Sequence, residues 1–404
     1  MNKNWKKNII LFLSSQTMSL FGSSLVQYAI MWYITLETKS GVMMTISIIC
    51  GFLPNFFLSP FAGVWADRYN RKRLIMISDS FIAISTLILA ILFLMGYDAI
   101  WMTFVVSAIR ALGSGVQSPA VNAYLPSLVP EDKLMKVNGT NGSIQAFVML
   151  VSPMLSGALL SVATIEAIFF IDVVTAFIAV MILLLFLKET PHERTVSDQP
   201  ISYFGDLMKG INYIKNHSYL KRFFLYSGCF FILAGPVAFL TPLQVTRNFG
   251  DDVWRLTAIE VIFSIGMMAG GIIMASWGGF KNKIYTMSLS SITLAICTFL
   301  FGFVGIFWIY LMLMGIFGLA MPFFNTPSTV LLQERVEEEY LGRVFGVFGM
   351  IASAMMPISM LIFGPLSDAI KIEYMLIITG IFMVIGSLIL VKDKVLLEAG
   401  KPKI

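Results

Sequence analysis

Apolar residues along this chain come in long continuous runs, separated by short polar stretches, without strict alternation anywhere. The runs lie near residues 9–35, 42–66, 74–96, 100–126, 138–161 and 165–187, then near 222–244, 256–277, 285–303, 306–332, 342–366 and 374–391. Each meets the roughly 20 residues that a helix needs to cross a bilayer. Backbone groups in hydrocarbon have no water to bond, so a span is either a helix or a strand of a closed barrel, and barrel strands alternate. The pattern therefore predicts an all-α membrane protein of twelve transmembrane helices. The first run follows Lys3, Lys6 and Lys7, as a signal peptide's apolar region would. It continues to about Ile34 with no small-residue cleavage site and is read as a retained span.

Composition agrees. Of 404 residues 57% are hydrophobic and 13% charged, and the mean hydropathy is +0.83. Soluble domains carry about 25% charged residues. Twelve spans and their connections use nearly the whole chain, which leaves no room for a separate soluble or nucleotide-binding domain. Cys50, Cys229 and Cys297 each sit alone within an apolar run, without CxxC spacing or a nearby His, and read as packing residues.

The placement of charge sets the orientation. Of the 28 Lys and Arg, only Lys39, Arg247, Arg255 and Lys371 fall on one face of the predicted bundle, and Arg110 falls within a span. All the others lie at the termini or in the even-numbered connections. That asymmetry puts both termini in the cytoplasm. The net charge of +5 is thus a topology signal, and no nucleic-acid surface is expected.

The chain divides into a first six-helix bundle at 1–187, a linker at 188–221 and a second six-helix bundle at 222–404. The linker opens as a loop and continues with Phe204, Leu207, Met208, Ile211 and Ile214 at helical spacing around Lys209 and Lys215. An amphipathic helix on the cytoplasmic interface is expected, chiefly as a tether. Both histidines, His192 and His217, lie in this linker, so any proton relay within the spans must use carboxylates.

The two halves repeat. Val129–Gly139 follows the fourth span and Val336–Gly346 the tenth, and both read Val-x-Glu-x-x-Leu-x-cation-Val-x-Gly. Ser118-Pro119 upstream of the first corresponds to Thr326-Pro327 upstream of the second. Sequence similarity six spans apart is the mark of two parallel repeats.

Between the second and third spans lies Gly63-Val64-Trp65-Ala66-Asp67-Arg68-Tyr69-Asn70-Arg71-Lys72-Arg73. Charge this dense belongs in a tight turn at a membrane surface. Its pattern, Gly-x-x-x-Asp-Arg-x-x-Arg-Lys, resembles the signature loop of the major facilitator superfamily of transporters. The resemblance implies two six-helix pseudo-repeats and a cytoplasmic gate built from Gly63, Asp67, Arg68, Arg71 and Lys72. There Asp67 would hold the positive N-terminal end of the eleventh span, and Arg71 would orient Asp67. The equivalent second-half turn, Trp277–Lys283, keeps cations but has no aspartate, so the gates are not symmetric.

Other features carry the resemblance further. Arg110 lies midway along the fourth span, where a cation costs about 2.5–3.5 kcal/mol unless a wet cavity or an acid receives it. With Gly115 it partly matches the Arg-x-x-x-Gly-x-Gly of proton-driven exporters; the alternative is a structural cation tied to carbonyls. Ser152, Pro153, Ser156 and Gly157 resemble the Gly-Pro-x-x-Gly-Gly of antiporters, with serine at two glycine positions. An ordinary proline kink accounts for them nearly as well.

Across essentially the whole chain, from Gly51-Phe52-Leu53-Pro54 through Ser118–Ala123 to Ile171-Asp172-Val173, the sequence is similar to the macrolide-efflux branch of this superfamily. That implies proton-coupled export of bulky amphipathic antibiotics across a bacterial cell membrane. Neighbouring branches export tetracyclines or siderophores, and a non-transporting receptor or assembly protein of the same fold is the alternative from another class. There is no Walker A sequence and no catalytic constellation, so an enzyme is not expected, nor any metal or cofactor. The expected partners are a small drug substrate, protons and the lipid bilayer, for a monomeric chain.

The embedded acids are Asp79, Asp172 and Glu260. Each is a candidate proton carrier, because a carboxylate loses its hydration in hydrocarbon and a neutral carboxyl loses far less. Asp79 lies about two turns from Arg73, close to the interface. Asp172 lies about two turns from the outer end. Glu260 lies just over one turn beyond Arg255, within reach of a loose i, i+5 pair. Polar span residues tend to face the bundle interior, which makes Gln27, Tyr28, Trp32, Asn122, Gln145 and Asn325 candidates for the substrate cavity.

Overall fold

Hydrocarbon leaves each segment to satisfy its own backbone, and among the described residues the chain does so as helix, with no strand. The computed structural model describes residues 5–130, 133–187 and 203–402, without the side chains of residues 59, 60, 63, 64, 67, 135, 203–207 and 338. The helices are α1 (Trp5–Thr38), α2 (Gly41–Arg68), α3 (Arg71–Leu94), α4 (Ile100–Ser127), α5 (Leu134–Val162), α6 (Ile165–Phe186) and α7 (Tyr203–Asn216). They continue as α8 (Ser218–Phe249), α9 (Val253–Trp277), α10 (Lys283–Phe301), α11 (Phe307–Arg335), α12 (Glu338–Ala369), α13 (Ile372–Lys392) and α14 (Lys394–Ala399). All but α7 and α14 are long and apolar enough to cross a membrane, which gives the twelve predicted spans.

Most helices overrun their apolar segments by a few residues, because helical hydrogen bonding continues past the hydrocarbon. The clearest case is α2, which carries the Gly63–Arg68 stretch as helix to Arg68. Only Tyr69 and Asn70 separate it from α3, and Asn70 caps α3 by accepting from the Arg73 N–H at 3.2 Å. The charged turn is therefore two residues long, and most of the motif is helix. The repeated segments occupy equivalent junctions, α4 to α5 and α11 to α12. In the amphipathic α7, Tyr213 and Ile214 are buried, whereas Lys209 and Lys215 are exposed. Helix α14 was not anticipated from hydropathy. It is fastened at the chain's end by Arg335, which donates to the carbonyls of Ala399 (2.8 Å) and Lys401 (2.7 Å), and by Asn282, which donates to that of Leu397 (2.8 Å).

The chain forms two compact units, Met1–Glu37 with Ile46–Pro200, and Thr38–Thr45 with Ile201–Ile404. Helix α2 thus begins in the second unit and ends in the first. Its first turn is held there by Asp368, which accepts from the N–H groups of Gly41 (2.7 Å) and Val42 (3.0 Å), from Ser40 Oγ (2.6 Å) and from Arg247 (2.8 Å). A carboxylate at a helix N-terminus meets unpaired N–H groups and the positive end of the helix dipole.

Within the first unit, α1, α3, α4 and α6 build two apolar clusters. One contains Phe12, Ile75, Tyr124, Leu125 and Leu183; the other contains Leu25, Ile30, Leu89, Phe93 and Phe169. The buried residues between them along these four helices are small or polar, apart from Ile82. In the second unit α9 and α11 approach through glycines. A Cβ added at Gly318 would lie 2.2 Å from the Phe263 carbonyl oxygen, and one at Gly266 would lie 2.2 Å from that of Gly315. Backbones this close exclude any side chain, the usual device of helix packing in lipid, where apolar burial gives little drive for association.

Two outcomes test this packing. Gly318→Val should force α9 and α11 apart and lower the melting temperature of the detergent-purified protein, at a cost of about 1–3 kcal/mol. Gly271→Ala, with nothing within 4 Å of an added Cβ, should not. At the α13–α14 junction, partial burial raises the Asp393 carboxyl, but Arg222 and the N–H groups of Leu396 and Val395 outweigh it and hold the group below its usual range. The stabilisation is present above the ordinary aspartate value of about 3.9 and is lost as pH falls through the lower folded value. Asp393→Ala should cost about 1 kcal/mol at neutral pH and almost nothing near pH 2, read from melting curves at the two pH values.

Candidate functional site

Between the two apolar clusters of the first unit lies a layer of buried polar side chains. Gly22 lets α1 come close to α6: a Cβ there would lie 2.1 Å from Thr175 Oγ1 and 3.0 Å from the Asp172 backbone. Ser23 on α1 can therefore reach Asp172 on α6, its Oγ donating to Oδ1 at 3.4 Å. Arg110 on α4 donates from Nη1 to Asp172 Oδ2 at 2.5 Å and to Thr86 Oγ1 on α3, and from Nη2 to the Ser23 carbonyl at 3.2 Å. Thr86 in turn donates to Asp172 Oδ2 at 3.1 Å. Arg110 is 9% accessible and Asp172 0%, so this is a buried ion pair braced by further hydrogen bonds to Thr86, Ser23 and the Ser23 carbonyl. Of the two ways to tolerate the central arginine, the structure uses the paired acid.

A second acid shares the layer. Asp79 on α3 is 1% accessible, although it lies only two turns from the basic turn. Its Oδ1 accepts from Ser19 Oγ on α1 at 2.6 Å and from Gln117 Nε2 on α4 at 2.5 Å. Its Oδ2 is buried and has no hydrogen-bond partner among the described residues. The layer so described holds two carboxyls and one cation. One carboxyl is spoken for by Arg110, and the other has a free oxygen where a proton can sit. Ser19, Thr86 and Gln117 were not singled out from the sequence. Spacing was the available signal, since 79 and 86, and 110 and 117, are each seven residues apart and share a helix face.

The other candidate residues distribute as follows. Ser152, Pro153, Ser156 and Gly157 are all buried on α5, and Ser156 Oγ donates to the Leu25 carbonyl at 3.1 Å, joining α5 to α1. The Ser152 hydroxyl has no partner among the described residues. Arg71 donates to the carbonyls of Ala66 and Ala123, both at 2.9 Å, and Lys72 to that of Leu187 at 2.5 Å, so both tie the charged end of the first unit together. Arg68 is exposed. The side-chain environments of Gly63 and Asp67, and with them the gate expected at Asp67, lie outside the described residues. Trp32 is fully buried, with its ring 5.7 Å from that of Tyr28, whereas Gln27, Asn122 and Gln145 are exposed.

Asn325 and Glu260 come together in the second unit, where α8, α9, α11 and α12 enclose a cavity of about 170 Å³. Phe231, Phe263, Phe317, Phe324, Met314 and Met321 form much of its wall. The loose pair of Glu260 with Arg255 does not form. Arg255 binds Asp252 at 3.3 Å and lies over the rings of Trp254 (5.5 Å) and Phe307 (5.7 Å). No group of three or more His, Cys, Asp or Glu that could hold a metal occurs among the described residues.

Residues 12–360 match the model of the Major Facilitator Superfamily. Macrolide efflux protein A of Streptococcus pyogenes is 30% identical over 94% of each chain. The staphyloferrin A transporter of Staphylococcus aureus is 26% identical over 92% of each. Among solved structures, the nucleoside transporter NupG superposes with a TM-score of 0.71 at 17% identity, over 98% of this chain and all of that one, a likeness of fold alone.

The Arg110–Asp172 pair should be costly to break from one side. Arg110→Ala strands a buried carboxylate and should destabilise the protein by about 3–5 kcal/mol, whereas the double variant Arg110→Ala/Asp172→Ala should lose less than the two single losses combined. Thermal unfolding of the purified variants checks both; additive losses would show that the two groups do not act as a pair.

Proposed function

Because the chain belongs to the Major Facilitator Superfamily, a family of transporters, we propose that this multi-pass membrane protein is a secondary exporter of bulky amphipathic antibiotics, macrolide-like in kind, driven by proton antiport. The observation that carries the coupling is the excess acid in the buried layer: two carboxyls, one cation and an unpartnered oxygen on Asp79. A proton on Asp79 leaves the layer neutral. Its loss leaves a net negative charge in a dry site, which is tolerable only where water or a cation reaches it. The protonation state thus acts on the balance between conformations, as alternating access requires. Asp172 is the less suitable carrier, since its charge is already balanced by Arg110. The scarcity of Lys and Arg on one face supports placing both termini in the cytoplasm, with export directed away from them.

The substrate class is supported by the 30% identity to macrolide efflux proteins. A second reading, export of a siderophore, is favoured by the staphyloferrin A transporter, at lower identity. Both use the same coupling site and differ in cargo.

Expression in a susceptible bacterium, with drug accumulation measured with and without a protonophore, tests the proposal. Cells carrying the protein should accumulate several-fold less macrolide, and the protonophore should erase the difference. Asp79→Asn should abolish protonophore-sensitive export while the protein remains folded in the membrane. A panel of macrolides, tetracycline and a carboxylate siderophore that shows no protonophore-sensitive difference for any compound would overturn the exporter; normal export by Asp79→Asn would overturn Asp79 as carrier.

A further inference from the structure

Glu260 has no place in the coupling layer, which lies in the other unit, and its surroundings give it no structural task. It makes no hydrogen bond or ion pair with any described residue, and its nearest cation along α9, Arg255, is committed to Asp252 and two aromatic rings. What Glu260 does face is the 170 Å³ cavity, where it stands among phenylalanines and methionines. Part of the wall is ordered by aromatic packing: the rings of Phe230 and Phe324 are stacked with centroids 4.8 Å apart, and Phe231 meets Phe324 edge-on at 6.3 Å.

A lone carboxylate in an aromatic and thioether cage is poorly solvated, so it takes up either a proton or a positive partner. Ring faces attract cations through their quadrupole, and most strongly where water is excluded. The methionines shape themselves to alkyl groups of varied size. The partner this chemistry selects is an alkylated ammonium group, whose charge meets Glu260 and whose methyl groups meet the rings. A metal ion would need further oxygen or nitrogen donors that the cage lacks. Size sets a second limit. Pockets that take drug-sized ligands measure roughly 300–1,000 Å³, so a cavity of about 170 Å³ suits a head group better than a whole antibiotic.

We propose that Glu260 and its Phe/Met cage form a subsite for the protonated amine of the transported molecule, so that the protein selects cationic amphipaths by one substituent. Asn325, on α11, also lines the cavity and supplies a polar contact there. The identity of the whole cargo rests on the exporter reading above; the ammonium subsite does not. The two acids then have separate work, Asp79 in the first unit for the proton and Glu260 in the second for the charge of the cargo.

Binding to the detergent-purified full chain, by calorimetric titration, tests the subsite with three probes. These are a macrolide bearing a dimethylamino sugar, the same macrolide with that nitrogen converted to a neutral amide, and benzyltrimethylammonium. The wild type should bind the amine at least about 10-fold more tightly than the amide. In Glu260→Gln that ratio should fall to near one, and in Phe324→Ala it should fall in part. A melting temperature for each variant guards against misfolding. If Glu260→Gln keeps the full preference for the amine, the subsite is wrong. If neither macrolide binds but benzyltrimethylammonium binds the wild type and not Glu260→Gln, the subsite stands and the macrolide reading falls. If benzyltrimethylammonium binds both proteins equally, or neither, the subsite is wrong whatever the macrolides do.

Discussion

The ion pair between Arg110 and Asp172 is the constraint around which the first unit is arranged. A guanidinium in the middle of a helix bundle in lipid must be received, and here three other helices contribute to receiving it. Ser23 offers a carbonyl from α1, Thr86 a hydroxyl from α3 and Asp172 a carboxylate from α6. That convergence requires α1 to touch α6, which is why Gly22 has no room for a side chain. The apolar clusters lie on either side of the layer, and its charged side chains, the second acid Asp79 included, are buried.

The second unit is built on a different principle. Among the described residues it has no comparable buried ion pair. Its helices approach through glycines on α9 and α11 and through aromatic stacking around Phe324. The result is a cavity with aromatic and methionine walls, faced by a carboxyl that makes no hydrogen bond or ion pair with a described residue. The repeat visible in the sequence at 129–139 and 336–346 therefore relates two halves that share an architecture and differ in chemistry. The missing aspartate in the turn at Trp277–Lys283 is an early sign of that divergence.

The side-chain partnerships that a single segment leaves open share one cause. Position along a helix says how deep a residue lies but not which way it points. Asp79 lies two turns from the basic turn, and its side chain points inward to Ser19 and Gln117. Glu260 was offered Arg255 because they are five residues apart, yet Arg255 turns to Asp252 and Trp254. Gln117 and Thr86 were passed over because a single amide or hydroxyl in a span is unremarkable until a neighbouring helix brings an acid to it. The charged stretch at Gly63–Arg73 was recognised by its pattern, but its conversion to helix up to Arg68 depends on hydrogen bonding that hydropathy does not register.

The sequence alone determined the class of molecule, its twelve spans, the internal repeat and the resemblance to drug exporters. Each of these follows from local composition, because a membrane imposes the same length and polarity on every segment that crosses it. Which acid pairs with Arg110, which retains a free oxygen and which stands alone among aromatic rings was decided only by the tertiary structure. Those partnerships form between residues 38 to 149 positions apart, such as Gln117 with Asp79 and Ser23 with Asp172. They depend on helix rotation and on close approach at glycines such as Gly22, and no single segment encodes either.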